Sequence, residues 1–195
     1  MLSTLLDRWR DWLARENGAP VSRTIEGFRV DVLNTRPDIS TEQVYERIAG
    51  ALALIRQYQP RRFRRMQRDF ARILVQRYPC RGAFYPDTRT CITELTFSVN
   101  PDFSLAQIAS SMVHEGIHAR VRAMCHAYHP EQLPHEERLC RRAELEFGLA
   151  VPNGDLVVAR ALASLELEDQ DVAPTIDWTE AARRVASVDQ AARER

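Results

Sequence analysis

The sequence predicts an α+β fold, mainly helical, in a single domain of 195 residues. Three observations predict it. Apolar residues recur at three- and four-residue spacing over most of the chain, as they do on buried helix faces. Between Tyr78 and Val99 the pattern changes to strand, turn, strand around a Pro-Asp pair. The balance of 45% hydrophobic to 28% charged residues is that of a globular chain long enough to bury a core.

The elements follow in order. Leu2, Leu5, Leu6, Trp9 and Leu13 mark a first amphipathic helix, ended near Gly18 and Pro20. A less regular stretch runs to Pro37. Ser40 and Gln43 then form a capping box for a helix reaching Tyr58, with Val44, Ile48, Ala51, Leu52 and Ile55 on its buried face. Pro60 opens a third helix. It carries Phe63, Met66, Phe70, Ile73 and Leu74 on one side and Arg61, Arg64, Arg65, Arg68 and Arg72 largely on the other. Residues 1–78 thus form a helical N-terminal part.

Gly82 to Tyr85, a turn over Pro86 to Thr90, and Cys91 to Val99 read as a small antiparallel hairpin. Asn100-Pro101-Asp102 leads into Ser104, which pairs with Gln107 in a second capping box, and Phe103 with Ile108 makes a hydrophobic staple. Leu105, Ile108, Ala109, Met112, Val113, Ile117, Val121 and Met124 follow at helical spacing, an arc broad enough for a deeply buried helix. Gly116 inside it costs about 1 kcal/mol relative to Ala, which suits a position where another backbone packs closely. Tyr128-His129-Pro130 marks a turn. A further helix starts near Pro130 or Pro134 and runs to about Ala150, where Pro152-Asn153-Gly154 stops it. In the C-terminal helical segment, 151–195, a helix spans Asp155 to Glu168 and an acidic linker reaches Pro174. Asp177-Trp178-Thr179-Glu180 then caps the last helix.

Net charge is zero but unevenly placed. Arg56 to Arg81 holds nine arginines against one acid, and Glu144 to Asp177 holds eight acids against one arginine, so the two segments are expected to face each other or meet partners. Phosphate binding by the arginine face is the less favoured reading, because no aromatic stacking pattern or nucleic-acid motif accompanies the charge. No stretch has the length of a membrane span. The charged N-terminus lacks the apolar run of a secretory signal, so a cytoplasmic location is expected. Cys80, Cys91, Cys125 and Cys140 form no Cys-x-x-Cys pair; in a reducing cytoplasm they are expected as free thiols, and in an exported chain Cys80 and Cys91 could cross-link the hairpin.

Residues 114–118 read His-Glu-Gly-Ile-His. Positions four apart share a helix face, so His114 and His118 can hold one metal ion. Glu115 is placed to take a proton from a metal-bound water, which makes it the candidate catalytic base. A catalytic zinc usually keeps three protein ligands and one open position. The third is expected from the helix that returns after the motif. Glu137 is favoured if that helix starts near Pro130, and Glu144 if it starts near Pro134. Glu136 and Glu146 are expected to be solvated. His126, His129 and His135 lie near the motif in sequence but are not expected as ligands. Tyr85, Arg89, Tyr128 and His129 are candidates to donate a hydrogen bond to a developing oxyanion.

The His-Glu-Gly-Ile-His motif resembles that of the zincin metallopeptidases. The order strand, motif helix, second helix with glutamate is similar to the gluzincin branch, over about residues 81–150. The resemblance implies a zincin-like core at 79–150, with the small sheet packed on the motif helix. It implies a zinc cofactor, a peptide or protein substrate, and hydrolysis of a peptide or amide bond. It also implies that Cys91 to Ser98 is the sheet-edge strand that binds substrate backbone. Cys140 takes the place of the small residue that often follows the ligand glutamate by three. Arg141 stands where the family usually has an acid. The alternative is a zinc-binding regulatory or structural protein that keeps the fold without proteolysis.

Overall fold

A computed structural model describes residues 19–124, 130–173 and 177–193. The helix expected over the first 17 residues lies outside them, as do Cys125, His126, Tyr128 and His129. The chain is mixed α+β and mainly helical, with a five-stranded sheet.

The stretch from Pro20 to Pro37, read as irregular, forms a hairpin. β1 (Val21–Ile25) pairs antiparallel with β2 (Phe28–Val32). Glu26 and Gly27 between them have φ of 52° and 79°, the two positive values of a type I′ turn. Helix α1 (Thr41–Tyr58) is capped as expected, with Ser40 Oγ accepting from the Gln43 N–H, and its five predicted face residues are all buried. Helix α2 (Pro60–Asp69) begins on its proline but ends before Ile73 and Leu74. Those residues belong to β3 (Arg72–Gln76), which runs parallel to β2. A strand buried on both faces is apolar throughout rather than alternating, and such a run cannot be told from a helix face by period alone.

β4 (Gly82–Tyr85) and β5 (Thr90–Glu94) make the expected hairpin. The second strand is shorter than the sequence suggests. Glu94 accepts the Phe97 N–H at 2.6 Å and so caps a short helix, α3 (Leu95–Val99). The strand order is β1-β2-β3-β5-β4, with β3 and β5 parallel. The sheet is therefore mixed, not a lone antiparallel hairpin. Its edge on this side is β4, while β5 lies inside.

The helices that follow are α4 (Leu105–Met124), α5 (Leu133–Ala150), α6 (Asp155–Leu165), α7 (Asp169–Val172) and α8 (Trp178–Arg193). A 3₁₀ turn over Pro130–Gln132 precedes α5. Phe28, Val30, Val32, Ile73, Val75 and Cys91 of the sheet join α1, α2, α4 and α5 in one core. The other face carries a polar network in which buried Asp31 accepts from Ser22, Arg29 and Arg72. α4 packs against α1, α2, α5 and β4, which explains its broad apolar arc. At Gly116 the close neighbour is a side chain, not a backbone: an added Cβ would stand 2.8 Å from Met66 Cγ.

The arginine-rich segment is engaged within the molecule in part, while Arg61, Arg64, Arg65 and Arg68 are exposed. Arg62 meets Glu146 of the acidic segment at 3.0 Å, while Arg56, Arg72 and Arg77 pair with Glu26, Asp31 and Glu94. Asp189 of α8 joins Arg36 at 3.1 Å and Arg77 at 2.8 Å, and Trp178 packs on Tyr78. Among the described residues, no helix is long and apolar enough to cross a membrane.

Candidate metal centre

The motif helix is set by its caps. Gln107 N–H donates to Ser104 Oγ and Ser104 N–H to Gln107 Oε1, which fixes where the helix begins and therefore which face His114 and His118 share. Their Nε2 atoms approach to 3.1 Å. From α5, the Glu137 carboxylate reaches both imidazoles, with one oxygen 3.3 Å from His114 Nε2 and the other 3.3 Å from His118 Nε2. Tetrahedral zinc with bonds of about 2.0–2.1 Å spaces its ligand atoms about 3.3 Å apart. The Nε2–Nε2 separation is close to such an edge, while Glu137 spans the two imidazoles with a different oxygen on each.

The outer ring nitrogens make the fit more specific. His114 Nδ1 lies 3.1 Å from Glu144 and His118 Nδ1 lies 2.6 Å from Glu136. A carboxylate can only accept, so each Nδ1 carries a proton, which leaves Nε2 as the ring atom that can turn a lone pair to a metal. Each carboxylate is held in turn by an arginine, Arg141 at 3.0 Å on Glu144 and Arg122 at 2.8 Å on Glu136. The carboxylates of Glu136, Glu137 and Glu144 around the two rings call for positive charge, which ring protons or a metal ion can supply. Burial would lower the imidazole values, but Cys140 and the surrounding carboxylates override it and push both histidines well above their ordinary range. Burial would raise Glu137, and the two histidines reverse that and hold it far below the usual carboxylate range. The donor set fits a divalent metal.

These contacts settle the arrangement of the glutamates. The helix proper begins at Leu133, close to the later of the two expected starts, yet Glu137 and not Glu144 faces the Nε2 pair. Glu144 backs His114 from outside. Glu136, expected to be solvated, is buried on His118; Glu146 is exposed as expected. Glu136, Glu137, Cys140 and Glu144 occur at intervals of one, three and four, the spacing of a single helix face, and that was the signal available in the sequence.

Glu115 is buried and lies under the first residue of β4. A Cβ on Gly82 would stand 3.0 Å from both Glu115 Oε1 and Ser111 Oγ. Burial raises the Glu115 carboxyl above its ordinary value, and the nearby histidines pull it back only in part. The edge strand beside the motif is thus Gly82–Tyr85, and the expectation that Cys91 to Ser98 forms an edge is corrected: it comprises an interior strand and a helix. Tyr85 shares a contact of 3.1 Å with the Tyr78 hydroxyl, whose proton is held by burial and by Tyr85 itself. Arg89 stands in the hairpin turn, where it donates to the Arg68 carbonyl at the end of α2. His135 is exposed on α5, and Tyr128 and His129 lie outside the described residues.

Cys140 adds a donor that sequence reasoning left as a small packing residue. Its thiol is fully buried and lies 3.6 Å from His118 Nε2. His114, His118 and Cys140 place one ligand atom each within 4.8 Å of one another, a spacing suited to a metal ion. Cys80, Cys91 and Cys140 are all free thiols. No protein-family model matches the chain, and no match to it was found among curated proteins or solved structures.

Proposed function

We propose that this protein is a zinc-dependent hydrolase of peptide or amide bonds, similar in its chemistry to the gluzincin metallopeptidases. The observation that supports it best is the convergence of His114 Nε2, His118 Nε2 and the Glu137 carboxylate at 3.1–3.3 Å, with the buried Glu115 beside them. Zinc held by those three residues would supply Lewis acidity to water and to the substrate carbonyl.

The rest falls to the chain's own groups. Glu115 accepts a proton and passes it to the leaving amine, and a carboxyl raised by burial is suited to both halves of that transfer. Glu144 and Glu136 keep each imidazole in the tautomer that points Nε2 inward. β4 is an outer strand of the sheet, so an extended peptide can add alongside it and be read by main-chain hydrogen bonds. Gly82 keeps that approach free of a side chain directly over Glu115.

One observation favours a second reading. His114, His118 and Cys140 form a donor group without Glu137; with Glu137 they would make four donors, and zinc sites closed by four protein ligands are typically structural. A non-catalytic metal-binding protein then has the same ligands and no turnover.

The Glu115→Gln variant separates these readings. In the hydrolase, the variant keeps its zinc by elemental analysis while cleavage of a mixed peptide library falls about 10²–10⁴-fold. Cleavage at the wild-type rate removes Glu115 as the base. A zinc-loaded wild type that cleaves nothing establishes the second reading, and purified protein that neither holds nor takes up zinc overturns both.

A further inference from the structure

We infer that Cys140 is itself a metal ligand, so that in this conformation the centre is closed by four protein donors and held latent. This rests on the metal-site reading above and concerns how that site is regulated. Zinc–sulfur bonds are longer, about 2.3 Å, and a tetrahedral zinc therefore sets sulfur about 3.6 Å from a nitrogen ligand. The Cys140 Sγ to His118 Nε2 separation is 3.6 Å. The thiol lies one helical turn after Glu137 on the same face of α5, so the helix that delivers the carboxylate delivers the sulfur with it.

The surroundings argue against a packing role. Cys140 has no exposure to solvent, and its sulfur is directed at the two imidazoles rather than into the apolar cluster formed by the sheet and helices. The bond exchange is simple. The thiol S–H gives its proton to solvent and a sulfur–metal bond forms in its place, with no change of oxidation state. Water then has no tetrahedral position until Cys140 leaves, and hydrolysis requires that departure.

Cobalt(II) is the probe. The full-length protein, stripped of metal by a chelator, is titrated with cobalt and followed by absorption. The expected result is one cobalt per chain, with a near-ultraviolet thiolate-to-cobalt charge-transfer band that is lost in Cys140→Ser while the metal is kept. One cobalt bound without the band, or a band that survives Cys140→Ser, overturns this inference and leaves the His114–His118–Glu137 reading intact. Failure to bind cobalt or zinc at all overturns both. Should the serine variant not fold, X-ray absorption at the zinc edge of the wild type decides by itself: one sulfur neighbour supports the inference and none overturns it.

Discussion

Two imidazoles in this centre are each backed by a carboxylate that is itself pinned by an arginine: Arg141–Glu144–His114 and Arg122–Glu136–His118. Such outer partners set the tautomer and the basicity of the ligand nitrogen. Their loss typically weakens a metal site 10- to 100-fold. Glu144→Gln and Glu136→Gln are each expected to lower zinc affinity by about that factor, read by competition with a chromophoric chelator, with little change in far-ultraviolet circular dichroism. Asp31, remote from the centre, gives a pH prediction. Burial would raise its carboxyl, but hydrogen bonds from Ser22, Arg29 and Arg72 hold it below the usual range. Its stabilisation is therefore present above the unfolded value and lost as the pH falls through the folded one. Asp31→Asn should cost about 2 kcal/mol near neutral pH, on the scale of hydrogen bonds to a charged group. The difference from wild type should shrink as unfolding is measured at more acid pH. Residues were legible in the sequence where a spacing rule applied. The shared face of His114 and His118 followed from helix periodicity, whereas the choice between Glu137 and Glu144 hung on where the returning helix begins. Glu136 and Cys140 did not stand out, because charge and small size ordinarily mark a solvated and a packing residue, and only the depth of α5 against α4 shows otherwise.

At the scale of elements, capping chemistry proved readable and sheet membership did not. Ser40, Ser104 and Asp177 all cap the helices expected of them. β3 was absorbed into a helix because Ile73, Leu74 and Val75 are buried on both faces and leave no alternation to see. β1 escaped notice because four of its five residues are exposed and its turn is Glu-Gly, not the more telling Asn-Gly. Leu95–Val99 alternates like a strand, yet the carboxylate of Glu94 stops the ladder and starts a helix. The contact between α4 and α2 gives a test of packing. Gly116→Ala gains up to about 1 kcal/mol of helix propensity. It also drives a Cβ to 2.8 Å from Met66 Cγ, and overpacking of this kind costs about 1–3 kcal/mol. Net destabilisation of about 1 kcal/mol is expected by chemical denaturation. In a Met66→Ala background, already weakened by its own cavity, the same alanine at position 116 should turn stabilising. Additive effects would show that the two helices do not meet as described.

For the whole molecule, the metal would act as a cross-link between α4 and α5, since every donor comes from one or the other. A ligand that binds only the folded chain stabilises it by about 2.7 kcal/mol at a hundredfold excess over Kd. For a chain of this size that corresponds to a rise in Tm of about 5–10 °C, at about 2–4 °C per kcal/mol. Differential scanning calorimetry with and without zinc should show the rise, and a chelator should reverse it.

The last helix reaches this centre indirectly. Asp189 supplies one of the carboxylates on Arg77, and Trp178 covers Tyr78. Both anchor points lie on the short run of chain that ends at Gly82. A protein cut before Trp178 would keep every donor atom, yet its loosened 77–81 connection would give β4 a wandering first residue. The tail is thus a brace for the roof over the Glu115 carboxylate, distant along the chain but joined to it by one aspartate and one indole.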